Sequence, residues 1–163
     1  MTIHDGRVVL DAVLDRTAFL ASLPAATRDR LGFLAEIVDF EQSEVVFREG
    51  EASHFLGIVE HGRLALRLAA PGRDPATVLT VDRGDMVGWS AVVPPYRSTS
   101  TAIALEPTQI VVFEAERLRE AIAQEPLLAA AILPPVLSAV ARRLAACRLQ
   151  NLDLFRAGSG EPW

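Results

Sequence analysis

The sequence predicts a mainly β domain with flanking α: a double-stranded β-helix, or jelly-roll-like β-roll, with N-terminal helices and a long C-terminal helix. Three observations lead there. Between about residues 36 and 114, short β-prone runs alternate with glycine- and proline-bearing turns, as in a double-sheet roll. On either side, apolar residues recur at spacings of three and four, which is helical. Within the β-rich region lies an irregular stretch, GDMVGWSAVVPPYRSTST from Gly84 to Thr101, that reads as a loop built around a ligand.

The bounds are those of an ordinary globular domain. A chain of 163 residues is long enough to bury one proper core. Half its residues are apolar and 23% are charged. A net charge of −5 leaves no overall basic footprint for nucleic acid. Cys147 is the single cysteine, which excludes an internal disulfide framework and fits a reducing compartment. The N-terminal residues carry Asp5, Asp11 and Asp15 and do not read as a signal peptide. The most apolar stretch, Leu127 to Ala141, is interrupted by Pro134-Pro135 and is expected to be too short for a bilayer, which needs roughly 20 residues. A cytoplasmic protein with no membrane contact is expected.

In chain order, Val8-Val9-Leu10 is a short β-prone run. The pattern turns helical from Asp15 with Phe19, Leu20 and Leu23. After Pro24, Thr27 caps or enters a second helix with Leu31, Phe33 and Leu34 apolar. Strands follow at 37–40 and 45–47, then a turn at 48–51. Phe55 to Glu60 is strand-like, and His61-Gly62 is a tight break before the alternation of Leu64, Leu66 and Leu68, which together read as a hairpin. A surface turn at 71–75 leads back into Val78–Val81. Thr101–Leu105 and Ile110–Phe113 read as a further pair around Glu106-Pro107-Thr108.

From Glu114 the pattern is helical to near Phe155. A first helix carries Leu118, Ala121 and Ile122 and is interrupted at Glu125-Pro126. Pro134-Pro135 is expected to break the next piece, with Pro135 opening a new helix. That helix presents Leu137, Val140, Leu144 and Cys147 at coiled-coil spacing, with Arg142, Arg143 and Arg148 off the seam. The tail after residue 155 reads as disordered. The expected layout is one domain over 1–155, with the roll at about 36–114 and the C-terminal helices at about 115–155.

The stretch from Gly84 to Thr101 has the composition of an anion site. Gly84 and Gly88 permit positive φ and close backbone approach. Arg97 supplies a planar fork of donors suited to phosphate. Ser98 and Thr99 add hydroxyls, and free N–H groups at a turn would complete an anion nest. Its order and spacing resemble the phosphate-binding cassette of the cyclic-nucleotide-binding domain family, which includes the bacterial catabolite activator protein and kinase regulatory subunits. Gly84, Asp85 and Gly88 match its glycine–aspartate opening, and Arg97 with Ser98 match the arginine and small residue that grip the cyclic phosphate. The opening helices and the spaced Gly50, Gly62, Gly84 and Gly88 extend the likeness over most of the chain.

The resemblance implies a non-enzymatic sensor that binds a small anionic ligand, cyclic AMP or cyclic GMP in the first instance, and dimerises through its long helix. It implies a ligand set of Gly88, Trp89, Ser90, Arg97, Ser98 and Thr99, and a dimer helix bearing Leu137, Val140, Leu144 and Cys147. Trp89 stands where the family places a glutamate for the ribose hydroxyl. Losing a hydrogen bond to that carboxylate costs about 1.5–3 kcal/mol, or roughly 10- to 150-fold in affinity. Trp89 would either stack on a base, shaping the pocket for another anion, or fill the pocket and leave a ligand-free dimerisation scaffold. Hydroxyl residues that meet the adenine in cyclic-AMP-binding members are replaced near Cys147 and Arg148. In transcription factors of the family a helix-turn-helix follows the long helix. None is read here, so DNA binding by this chain is not expected. His4, His54 and His61 lack metal-ligand spacing, no catalytic constellation stands out, and no metal or cofactor is expected.

Overall fold

The computed structural model describes residues 2–4, 21, 23–70 and 73–158. Val8–Leu10, the helix expected to begin at Asp15, the turn residues 71–72 and residues 159–163 of the expected tail lie outside the described residues, whereas 156–158 belong to the last helix. The elements are β1 (Thr2–His4), α1 (Ala25–Leu34), β2 (Ala35–Phe40), β3 (Val45–Phe47), β4 (Phe55–His61), β5 (Leu64–Ala70), β6 (Arg73–Val81), β7 (Met86–Val87), a 3-10 turn (Trp89–Ala91), β8 (Thr101–Ala104), β9 (Thr108–Glu114), α2 (Ala115–Gln124) and α3 (Pro126–Gly158). They form the mainly β roll with flanking helices that the sequence predicts.

Two antiparallel sheets face one another, a five-stranded one in the order β1-β2-β9-β4-β7 and a four-stranded one in the order β3-β8-β5-β6. The larger sheet is covered on both faces. Val38, Phe40, Val59, Ile110 and Val112 point into the roll against Leu64, Leu66 and Ala102 of the smaller sheet. Their neighbours Ile37, Leu56, Ile58, Val111 and Phe113 point the other way, against Leu31, Leu118, Leu128, Ile132 and Val136 of the helices. Successive strand side chains alternate between faces, so a strand covered on both sides must be apolar throughout. That is why 56–59 and 110–113 are unbroken apolar runs.

Two strand pairings read from sequence are corrected. β4 and β5 do not form a hairpin, and β8 and β9 do not pair; each couple straddles a corner and divides between the sheets. At Gly62, φ is +84° and an added Cβ would lie 2.5 Å from the Pro107 carbonyl. The two corners are tied there, Leu105 N–H donating to the Arg63 carbonyl at 2.9 Å and Arg63 N–H to Thr108 Oγ1 at 3.2 Å. A short break marked by glycine has the same local signature whether the strands on either side pair or part.

The C-terminal segment is also corrected. Pro134 and Pro135 lie inside one helix, α3, instead of ending one and starting another. Each proline removes one intrahelical donor, at a cost of about 3 kcal/mol. The buried stripe Leu128, Ile132, Val136 and Ala139 runs straight past them, holding the helix to the roll. Ala130, whose carbonyl Pro134 leaves without a donor, is exposed to water. As a result Pro126–Arg148 is, by length and composition, long and apolar enough to cross a membrane, contrary to the expectation drawn from the interrupted 15-residue run. The stripe buries 28% of that span's most apolar window, while Leu127, Leu133, Leu137 and Leu144 are exposed.

Candidate functional site

The loop after β7 is shaped by steric constraint. Gly88 has φ +71°, and a Cβ there would lie 2.5 Å from the Phe55 carbonyl, so the close approach to β4 requires glycine. The chain then makes the 3-10 turn, burying Ser90 and Ala91. Arg119 of α2 holds the outgoing side: its Nη1 donates to the Ala91 carbonyl at 2.8 Å, and its guanidinium lies 4.6 Å from the centre of the Tyr96 ring. Tyr96 itself adopts φ +59°.

Beyond Tyr96 the backbone is extended and pairs with residues 50–53. Ser53 N–H donates to the Tyr96 carbonyl at 2.9 Å, Ser98 N–H to Glu51 at 2.9 Å, and Gly50 N–H to Ser98 at 2.8 Å. Extension sends alternate side chains to opposite sides. Ser98 and Ser100 are therefore buried, whereas Arg97 and Thr99 are exposed. Arg97 Nη1 donates to the Gly50 carbonyl at 2.8 Å.

Against the inner side of this loop lies a small cavity of about 70 Å³. Of the ligand residues read from sequence, Gly88, Trp89, Ser90, Ser98 and Thr99 line it, and Arg97 does not. Its basic side chains come from α3 instead, Arg142 and Arg143. Arg142 Nη1 meets Asp85 Oδ1 at 2.6 Å, while Asp85 Oδ2 accepts from the Asp82 amide at 3.1 Å. Arg143 is only 7% exposed, and its Nη2 has no hydrogen-bond partner. Burial pushes its pKa below the usual arginine value, opposed by the neighbouring Cys147 and Glu49. A buried guanidinium with an unused donor is costly unless something anionic meets it.

The cavity adjoins an open groove of about 250 Å³ that shares Trp89, Thr99 and Arg143 with it and adds Leu68, Val140, Leu144 and Cys147. Trp89 is half-buried, packs against the helix-side core and borders both spaces without closing either. Of the expected dimer residues, Leu137 and Leu144 are 69% and 51% exposed, and Val140 and Cys147 are half-buried in the groove. Ser100, Arg142 and Arg143 were not legible from the cassette pattern alone. Arg143 does have a signal, since it lies four residues after Ala139 on the stripe that α3 turns inward. Among the described residues, no group of three His, Cys, Asp or Glu side chains could hold a metal ion.

A β-roll with a glycine-bounded loop closed by a long helix is the architecture of a ligand-binding regulatory domain. The chain belongs to the cyclic nucleotide-binding domain family, whose model matches residues 37–125. It is 26% identical over 146 residues to the CRP-like cAMP-activated global transcriptional regulator of Mycobacterium tuberculosis, an alignment covering 90% of this chain and 63% of that protein. The chain thus spans less than two thirds of the curated relative's length. A Geobacter metallireducens protein assigned as cyclic nucleotide-binding superposes with a TM-score of 0.72 at 28% identity, over 80% of this chain and 95% of that one. A cyclic nucleotide-binding domain from Methylobacillus flagellatus shares the fold, with a TM-score of 0.71 at 14% identity, over 96% of this chain and 87% of its own.

Proposed function

We propose that this chain is a non-enzymatic cytoplasmic sensor. It binds a small anionic ligand, cyclic AMP or cyclic GMP being the first to test, between the 84–101 loop and α3. The observation behind this reading is the buried Arg143 lining a cavity together with Ser98 and Ser100. An anion there would meet the guanidinium's charge and take hydrogen bonds from both serines. Because Arg143 belongs to α3, occupancy ties the loop to the helix. With no break at Pro134-Pro135, the signal is a shift of the whole helix and not bending at a proline hinge. The exposed Leu133, Leu137 and Leu144 form an apolar strip suited to a homodimer through α3.

Thermal shift and calorimetry with cyclic AMP, cyclic GMP and cyclic dinucleotides test the proposal. A ligand at 100 times its Kd stabilises the fold by about 2.7 kcal/mol. The shift should vanish in Arg143→Gln and survive, reduced, in Arg97→Ala. If Arg97→Ala abolishes binding while Arg143→Gln does not, the anion sits elsewhere on the loop. The rival reading is a ligand-free dimerisation scaffold, favoured by the same apolar strip. Under it, no ligand shifts melting, while Leu137→Glu still converts a dimer to monomer by light scattering.

A further inference from the structure

The groove beside the cavity differs in chemistry from the cavity, and the two share one cation. Leu68, Val140 and Leu144, together with the Trp89 ring, give the groove an apolar wall. Its polar contributors are the Thr99 hydroxyl, the Cys147 thiol and Arg143 itself. No carboxylate or carboxamide side chain lines it among the described residues. Nucleobases are read through hydrogen bonds along their edges as well as by stacking, and such a wall supplies few of those partners. An alkyl chain or unsubstituted ring needs none, and its burial is favourable in proportion to the apolar area removed from water. Arg143 fixes the polarity of the occupant, because this buried cationic side chain lines both spaces.

We infer that the site takes an amphiphilic anion. A phosphate or carboxylate head would lie against Arg143, Ser98 and Ser100, and an apolar tail along the groove between Trp89 and Val140. This rests on the sensor reading above and specifies its ligand class. Phosphate and carboxylate share the required chemistry, and a comparison of headgroups separates them.

The test is calorimetry on the full chain with butyl, hexyl and octyl phosphate, octanoate, octanol, inorganic phosphate and cyclic AMP. Affinity should rise about fourfold for each methylene buried, until the groove is filled. Octanol should bind far more weakly than octyl phosphate, and Arg143→Gln should remove that difference. Val140→Thr, which keeps the side chain's size but adds a hydroxyl to the wall, should weaken octyl phosphate severalfold and leave inorganic phosphate unchanged. Stronger binding of octyl phosphate than octanoate assigns the head as phosphate, and the reverse as carboxylate. Affinity independent of chain length, or octanol binding as well as octyl phosphate, overturns the inference. So does binding that appears only in the Leu137→Glu monomer, since the groove would then belong to a second copy. Cyclic AMP binding without any alkyl anion overturns this inference and leaves the sensor reading standing. No binding by any of these ligands overturns this inference, and cyclic GMP and the cyclic dinucleotides then decide the sensor reading.

Discussion

The two sheets of the roll carry different loads. The larger is apolar on both faces, with Val111 and Ile110 both fully buried though they point in opposite directions. The smaller buries Ala102 and Ala104 toward the roll, while Thr101 and Ile103, which alternate with them, are only half-buried on the outer side. The larger sheet is thus the scaffold on which α1, α2 and α3 rest. The smaller one ends at the loop, where Ser98 and Ser100 continue the same in-and-out alternation into the cavity. Packing on both faces is concentrated in the larger sheet, and the cavity-lining serines lie at the end of the smaller one.

Substitutions can break that contrast. The largest effect should come from Phe113→Ala, which empties a fully enclosed ring site between the larger sheet and the helices. Its expected cost is about 3–5 kcal/mol in urea unfolding. A loss near 1 kcal/mol would mean that the helices do not depend on this sheet.

The junction between β9 and α2 comes next. Glu114 caps α2, its carboxylate accepting from the Glu116 and Arg117 amides at 3.0 and 2.8 Å. Burial alone would raise its pKa, but these two amides and the nearby Arg119 and Arg117 hold it below the ordinary glutamate value of 4.5. The folded pKa is depressed, so the stabilisation is fully present above the unfolded value and is lost as pH falls through the folded one. Glu114→Gln should cost about 1 kcal/mol near neutral pH and flatten the acid limb of the stability profile. An unchanged acid limb would assign that pH dependence to other carboxylates.

The smallest effect should come from Ile103→Thr on the outer face of the smaller sheet. It keeps β-branching and loses only partly buried surface, so a cost of about 0.5–1 kcal/mol is expected. A cost near that of Phe113→Ala would show the outer face to be covered in solution, and the comparison of the sheets would fail.

Local pattern made much of this legible. The β-rich span, the helices on each side and the glycines at 50, 62, 84 and 88 were all readable. Each of those glycines has positive φ, a requirement of the residue's own backbone that leaves its mark in the residue type. The loop from Gly84 to Thr101 was readable for the same reason. Which strands pair, and which arginine enters the cavity, depend on residues far apart in sequence. Arg97 stands at the motif position, but pairing with residues 50–53 fixes the phase of its strand and turns it outward. By spacing Arg143 lies off the seam, and only the docking of α3 through Leu128, Ile132 and Val136 points it inward. The prolines at 134 and 135 teach the same lesson: a local helix-breaking preference of a few kcal/mol yields to a buried stripe spanning it. By itself, the sequence determined the fold class, the turn glycines and the place of the irregular loop from Gly84 to Thr101, because those are set by single residues and short periods. The arginines that line the cavity, the division of strands between sheets and the continuity of the long helix were decided by tertiary packing, because each depends on a surface that no single segment carries.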